Sequence, residues 1–382
     1  MDISEQIRYV GCDDRSLDLF ESQYPIPNGV SYNSYVILDE KIAVMDTVDK
    51  RAGEEWLKKV EKLLGEKTPD YLVVHHLEPD HSANIGVLAD RYPKMQIVLT
   101  AKAAAMLPQF FDQDLSNRLI QVKEGDSLSL GSHTLHFVLA PMVHWPEVMV
   151  SYEDSEKVLF SADGFGTFGA ISENLPWIRE ARRYFINIVG KYGPSVQGLL
   201  KKAAALDIET IAPLHGPVLS GKLEEYIGYY DTWSRYEAEE EGIVIPYASA
   251  HGNTREAALF MADLLEKAGQ KVIPMDLNRE DMAKAVENAF RYDRMILAAI
   301  TYDGALFPAM EDFLYHLEIK NFQKRKVGII ENGSWGPLAG KKMREHLESM
   351  KEIEIVEPVV TIRTRRQSKD QAQFEALRDA ML

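Results

Sequence analysis

The chain has 382 residues, 46% hydrophobic and 27% charged, enough apolar material for two ordinary cores under a solvated surface. Its formal charge is −16, from 43 Lys and Arg against 59 Asp and Glu, which argues against nucleic acid as a partner and for neutral or basic ones. A single cysteine, Cys12, excludes an intrachain disulfide and any four-thiolate iron centre in this chain, and no apolar run is long enough to span a bilayer.

The opening stretch MDISEQIRYVGCDD has no apolar leader, which sets the expectation of a cytoplasmic protein without a membrane anchor. Short strands rich in Val, Ile, Tyr and Leu follow in SYNSYVIL, KIAVMDTV, DYLVVHH, QIVLTA, HTLHFVLAP, VMVSYE and KVLFSADG, bounded by Gly, Pro, Asp or Asn. Helical patterns fall at 51–64, 83–91 and 194–205, so a mixed layered fold with sheets inside is expected. The charge run YEAEEEG, closing at Gly242, marks an expected boundary between one domain at 1–240 and another at 241–382. Beyond it, strands in IVIPYAS, KVIPMDL, RMILAAI, KVGIIEN and EIVEPVVTI alternate with helices, the signature of a doubly wound parallel sheet.

The motif HHLEPDH, residues 75–81, ends the apolar run Tyr71 to Val74. It puts His76, Glu78, Asp80 and His81 in one turn, where imidazoles and carboxylates compete for protons unless a cation sits among them. A zinc hydrolase is expected to carry a second histidine where this chain has Glu78, and the carboxylate makes the site harder, favouring iron or manganese. Three more candidates also follow strands: His144 in APMVHWPE, Asp163 in LFSADGFG and His215 in APLHGP. Four histidines and three carboxylates exceed what one metal needs. Two metals about 3.5–4 Å apart with a shared carboxylate account for them. Asp163 is the natural bridge, as the carboxylate outside the dense turn. His75 reads as core or support, His133 and His136 as structural, and Trp145 and Tyr32 as packing aromatics.

In the second half, YASAHGNT joins a strand to a helix, where backbone N–H groups and the helix dipole hold a phosphate. Ser249, Ala250, His251, Gly252, Asn253 and Thr254 form this loop, with Gly252 allowing close backbone approach. It lacks the GxxxxGK pattern, and no GxGxxG follows any strand. ITYDGALFP supplies Thr301, Tyr302, Asp303 and Gly304, and ENGSWGPLAG supplies Asn332, Gly333, Ser334, Trp335 and Gly336. Three loops at the carboxyl edge of one parallel sheet form a ligand site in such folds, with Tyr302 and Trp335 offering faces for a flat ring.

His-x-Glu-x-Asp-His at His76 to His81, with His144, Asp163, His215 and VSYNSYVILDEKIAVMDTVD, resembles the metallo-β-lactamase superfamily and, within it, the flavodiiron proteins. The three later loops resemble a flavodoxin domain, although the last reads Asn332-Gly333-Ser334-Trp335 where many members carry Ser-Tyr-Gly-Trp. The resemblance covers nearly the whole chain. It implies an α/β protein: an N-terminal metallo-β-lactamase-like αββα sandwich, then a flavodoxin-like doubly wound parallel sheet. It implies FMN, with its phosphate in the first loop and its ring between the next two. It implies a non-haem diiron centre, His76, Glu78 and His144 on one iron, Asp80, His81 and His215 on the other, and Asp163 bridging. These seven are also the catalytic set, and in some members the ligand at His81 is swung away. The implied function is reduction of O2 to water, of NO to N2O, or of both, with electrons passing through FMN from an external donor. A rubredoxin-type protein is the first expectation for that donor and a reduced deazaflavin the second. The implied assembly is a head-to-tail homodimer or a dimer of dimers. The alternative is a zinc hydrolase of the same fold fused to an electron carrier, which Glu78 and the full carboxylate set oppose.

Overall fold

The computed structural model describes residues 2–382, which fall into two compact units, one ending at Asp231 and the other spanning Thr232–Leu382. In the first unit, one six-stranded sheet runs in the order β1 (Ile7–Tyr9), β2 (Tyr35–Ile37), β3 (Ala43–Met45), β4 (Tyr71–Val73), β5 (Gln96–Thr100), β6 (Leu119–Val122). The first two pairings are antiparallel and the last three parallel. A second six-stranded sheet follows as β7 (Ser127–Ser129), β8 (Thr134–Leu139), β9 (Met149–Glu153), β10 (Val158–Phe160), β11 (Thr210–Ala212), β12 (Leu219–Ser220). Their inner faces meet in one core, with Tyr35, Met45, Val73 and Val98 from the first sheet against Phe137, Met149, Phe160 and Ala212 from the second. Burial of this kind contributes roughly 1.5–3 kcal/mol per large side chain.

Helix α1 (Gly53–Leu64) shows why the local sequence folds as it does. Trp56, Val60 and Leu64 recur at helical spacing and are buried, while Glu54, Glu55 and Lys58 face solvent. Asp49 caps the turn before it, accepting from Arg51 N–H, and Gly65 ends it at φ +60°.

Three differences from the sequence expectation have physical causes. SYNSYVIL is two strands: 30–32 pairs with Cys12–Asp14, and only β2 enters the large sheet. The break is at Asn33, whose amide donates to the carbonyls of Pro213 and Gly216, both at 2.8 Å. EIVEPVVTI is likewise divided into β17 (Lys351–Ile355) and β18 (Val360–Ile362), because Pro358 between them has no N–H to give a ladder. The helix α3 (Trp177–Tyr184), continued by a wider turn at Phe185–Val189, has no counterpart in the sequence reading. Expected helix 194–205 is α4 (Gly193–Ala203).

In the second unit β13 (Glu240–Ala248), β14 (Val272–Asp276), β15 (Tyr292–Tyr302) and β16 (Gln323–Asn332) form a parallel sheet in the order β14-β13-β15-β16-β17, with β18 extending the last edge along β16. This is the flavodoxin-like order. Helices α5 (Asn253–Lys267) and α9 (Gln371–Met381) pack together on one side, and α7 (Pro308–Ile319) lies beside both α6 (Met282–Arg291) and α8 (Ala339–Ser349). Right-handed crossovers set the two groups on opposite faces. The fold is thus a metallo-β-lactamase-like αββα sandwich followed by a flavodoxin-like sheet.

The units divide before the expected 240/241 boundary. Residues 232–239 belong with the second unit because buried Arg325 donates to the carbonyls of Tyr236 and Tyr292, each at 2.8 Å, and to that of Phe290. The Glu239 N–H also donates to Arg291 O at 2.9 Å. Among the described residues no helix is long and apolar enough to cross a membrane.

Candidate active site

The metal-ligand candidates of the first unit all follow strands. β4 runs into His75-His76; Pro79 then opens the short helix α2 (Pro79–Ser82), holding Asp80 and His81, with Glu78 at its N-cap position. His144 lies between β8 and β9, Asp163 after β10 and His215 after β11. Sharp local geometry is needed to aim so many side chains inward. Asp46, Met142, Ala162 and Phe165 accordingly sit at φ +55°, +67°, +49° and +66°. Such strained positions cluster at functional sites.

His76, Glu78, His144 and Asp163 converge as one group, and Asp80, His81 and His215 as a second. In the first, Glu78 Oε2 is 3.1 Å from His76 Nε2 and 3.0 Å from His144 Nε2. Asp163 Oδ2 is 3.1 Å from His144 Nε2. In the second, Asp80 Oδ2 is 3.4 Å from His81 Nε2 and 3.3 Å from His215 Nε2. The other Asp163 oxygen, Oδ1, lies 3.3 Å from His81 Nε2. One carboxylate therefore faces both groups.

These residues fit two cations. Both oxygens of Asp80 and Asp163 Oδ1 are buried and accept no hydrogen bond from any described residue. The Nε2 atoms of His81 and His215 face each other at 3.0 Å, an arrangement that needs a proton or a cation between them. Buried, unsatisfied carboxylate oxygens are costly unless an ion takes them. Mixed imidazole and carboxylate donors suit a borderline or hard divalent metal, iron included.

The electrostatics agree. Burial pulls the His76 imidazole down, but hydrogen bonds to Glu147 and Glu78 and the Asp163 charge outweigh it and hold it well above its usual value. Burial is likewise overcome at His81, chiefly by Asp80 and Asp163, and at His144, chiefly by hydrogen bonds to Asp163 and Glu78; each is pushed up to about 9. Asp163 is held far below the carboxylate range despite its burial, by His81, His144 and His76. Without metal, protons hold this cluster of charges together.

Around the ligands stand residues that spacing alone does not reveal. The Tyr184 hydroxyl donates to Asp163 Oδ2 at 3.0 Å, and Glu147 Oε1 lies 3.2 Å from His76 Nδ1. Glu147 carries a weak signal, three residues after His144; Tyr184 carries none, because α3 was not anticipated. His75 donates from Nδ1 to Asp46 at 2.5 Å and meets Ser151 Oγ through Nε2 at 2.5 Å, so both its ring nitrogens have protein partners and it braces the motif. His133 is buried against Asp39 at 2.8 Å, a structural role. Phe20 and Tyr184 flank His215, with ring centroids 5.4 and 5.5 Å away. Trp145 meets His76 edge-on at 5.2 Å. The mouth is a cleft of about 190 Å³ lined by Glu21, Tyr32, Asp49 and Arg51 with Glu78 and Asp80 at its floor. Tyr32 thus reaches the site as well as packing.

The second unit has its own cleft, about 630 Å³, in the usual range for a cofactor pocket. Ser249, Ala250, His251, Asn253 and Thr254 line one part, Thr301, Tyr302, Asp303 and Gly304 a second, and Asn332, Gly333, Ser334, Trp335 and Gly336 a third. Gly252 is the turn residue at the N-cap of α5, at φ +89°, and is not among the lining residues. Its N–H donates to Ser249 Oγ at 3.1 Å. Asn332 ties the loops together, donating to Thr254 Oγ1 at 3.2 Å and to Thr364 O at 2.8 Å. Ile300, Leu338 and Thr364 also line the cleft and were not anticipated; Thr364 follows β18, whose separation from β17 hid it. Tyr302 is half exposed and Trp335 is 93% exposed, so neither ring is buried in the core.

A sequence family described as "ODP family beta lactamase" matches residues 30–216, the stretch that carries all seven ligand candidates. Across its length the chain is similar to a putative diflavin flavoprotein A 1 of Nostoc, 28% identical over 98% of this chain and 66% of that protein. It superposes on the rubredoxin oxygen:oxidoreductase of Desulfovibrio gigas with a TM-score of 0.94 at 25% identity, covering 100% of this chain and 97% of that one. In sequence and in fold the chain resembles the flavodiiron proteins along its whole length. A further relative is the anaerobic nitric oxide reductase flavorubredoxin of Vibrio vulnificus, 28% identical over 90% of this chain and 72% of that protein. The chain thus spans about two thirds of the Nostoc relative and nearly all of the Desulfovibrio one. The clusters and cleft described above are what a flavin and two metal ions require.

Proposed function

We propose that this chain is a flavodiiron protein that reduces O2 to water, NO to N2O, or both, at two non-haem irons, with electrons entering through FMN from a separate donor. The observation that carries the reading is the division of seven ligand candidates into two groups, with one Asp163 oxygen turned to each. In this reading His76, Glu78 and His144 hold one iron, Asp80, His81 and His215 the other, and Asp163 both. FMN would be held in the cleft of the second unit by the loop that opens α5 and by the loops of Tyr302 and Trp335. The unit ending at Asp231 is the diiron domain and the unit beginning at Thr232 the FMN domain.

When bound, two ferrous ions and a reduced flavin supply up to four electrons, enough for O2 to water, while coupling two NO to N2O takes two. The residues of the chain do the remaining work. Tyr184 and the carbonyl of Ser31 orient Asp163 and His215 by hydrogen bonds of 3.0 and 2.7 Å. Phe20, Phe168 and Tyr184 form an aromatic wall that limits water beside His215. At the mouth, Asp14 and Asp49 hold Arg51 at 3.3 and 3.1 Å, which fixes its guanidinium in the cleft that Glu78 and Asp80 also line. O2 and NO are the gases implied by the names of the relatives above.

A rubredoxin-type protein is the donor in this reading, with reduced deazaflavin as second choice; one cysteine cannot hold a rubredoxin iron in this chain. A head-to-tail dimer, or a dimer of dimers, belongs to the same reading, supported by a tryptophan left 93% exposed at the rim of the cleft. A cytoplasmic location also belongs to it, in keeping with a single cysteine. The test is anaerobic: protein of measured iron and FMN content is reduced chemically, then O2 and NO consumption are followed on an electrode. Rapid loss of at least one gas is expected. Loss of neither, from protein with zinc in both positions, would overturn the reading in favour of a hydrolase.

A further inference from the structure

The two metal groups are nearly matched in donors. Each has two histidines and one carboxylate of its own, and they share Asp163. What lies behind the histidines is not matched. His76 has Glu147 at its far nitrogen: Oε1 is 3.2 Å from Nδ1 and also accepts the Leu77 N–H at 3.0 Å. Glu147 is 2% exposed, and its Oε2 has no hydrogen-bond partner among the described residues. In the other group, His215 Nδ1 donates at 2.7 Å to a neutral acceptor, the carbonyl of Ser31. His81 Nδ1 has no partner among the described residues.

A carboxylate behind a ligating imidazole fixes its tautomer, with Nε2 free for the metal, and raises its basicity; a carbonyl fixes the tautomer with less donation. Glu147 can serve because its position is set independently of His76. Thr100 Oγ1 holds its backbone carbonyl at 3.0 Å, and Leu77 N–H holds its side chain. We propose that Glu147 is a positioning residue that acts through His76 and makes the ion held by His76, Glu78 and His144 the more tightly bound of the two. This rests on the diiron reading above and adds to it an order of affinity between otherwise similar sites.

The test uses the full-length, iron-loaded protein and its Glu147→Gln variant. Glutamine keeps an oxygen for Leu77 N–H and His76 Nδ1 but removes the charge, so a merely structural contact survives the change. Each protein is challenged with graded ferrous chelator, and iron per chain is counted. The wild type should lose its irons in two steps, and in the variant the later step should fall at roughly 10–100-fold lower chelator while the earlier one stays in place. In parallel, ⁵⁷Fe Mössbauer spectra of the reduced protein should show one of two iron signals moved by the variant. Folding is checked by circular dichroism, and Glu147→Asp serves as a second variant, expected to restore the later step in part. A Glu147→Gln release curve that overlays the wild type, or one in which both steps move equally, would overturn the proposal. A wild type that takes up no iron would overturn the diiron reading itself, and the proposal with it.

Discussion

The Tyr184 hydroxyl donates a 3.0 Å hydrogen bond to Asp163, the carboxylate that faces both ligand groups. Tyr184 is fully buried, and burial with the Asp163, Asp80 and Glu78 charges holds its hydroxyl in the protonated, donating form. The bond therefore persists across the physiological pH range. Replacing Tyr184 with Phe removes it without changing the ring that packs on Phe168 and His215. Iron affinity or turnover should fall about 10–100-fold, the usual effect of losing an outer partner of a metal ligand. Iron titration and gas consumption of Tyr184→Phe check this, with FMN content unchanged.

Flavin binding should be separable from iron. Ser249→Ala combined with Thr254→Val removes two hydroxyls from the loop that starts α5. A hydrogen bond to a charged group contributes about 1.5–3 kcal/mol, so FMN affinity should drop by roughly 100-fold or more. Fluorescence titration of FMN into the deflavinated variant measures it, and iron per chain should stay at the wild-type value.

Metal loading should expel protons. His81 and His144 are pushed up to about 9 in the metal-free cluster, so both are protonated at neutral pH and each must lose a proton to become a ligand. These raised values stabilise the metal-free fold fully below the unfolded histidine range near pH ~6.5, and that contribution disappears as pH rises through about 9. Iron affinity should therefore climb between these limits, about tenfold per pH unit for each proton displaced. Titration of demetallated protein in two buffers of different ionisation enthalpy would count the protons released at neutral pH. A count near zero would contradict the charge assignment.

Arg325 should be a structural keystone of the second unit. Its guanidinium is buried and donates to the carbonyls of Tyr236, Tyr292 and Phe290, and burial pulls its pKa down only to about 10, so it stays charged at neutral pH. Arg325→Met would leave several carbonyls without a donor, at a cost of about 3 kcal/mol or more. Thermal unfolding followed by flavin release should show the second unit melting earlier, with iron retained in the first.

The sequence made the seven ligand candidates legible because the chemistry of HHLEPDH is dense and each later ligand follows an apolar strand into small or turn residues. That the three later loops share one edge was legible for a similar reason: alternation of strand and helix fixes the edge at which they emerge, and there they line one cleft. What was hidden depends on contacts between segments distant in the chain. Asn33 breaks a strand only because Pro213 and Gly216 lie beside it. Tyr184 reaches Asp163 from a short helix whose three arginines mask its buried face, and Thr364 enters the cleft after a strand that Pro358 divides. Residues 232–239 group with the second unit through a bond of the same kind, from Arg325 to the Tyr236 carbonyl. These relations are made between segments far apart in the chain, and no local pattern states the partner.

The central claim is a pair of irons that share Asp163. Anomalous diffraction from crystals of the full chain, recorded on both sides of the iron edge, tests it most directly. The account predicts two iron peaks per chain, one among His76, Glu78 and His144 and one among Asp80, His81 and His215, with Asp163 reaching both. A single iron peak, or two peaks that respond at the zinc edge instead, would contradict it.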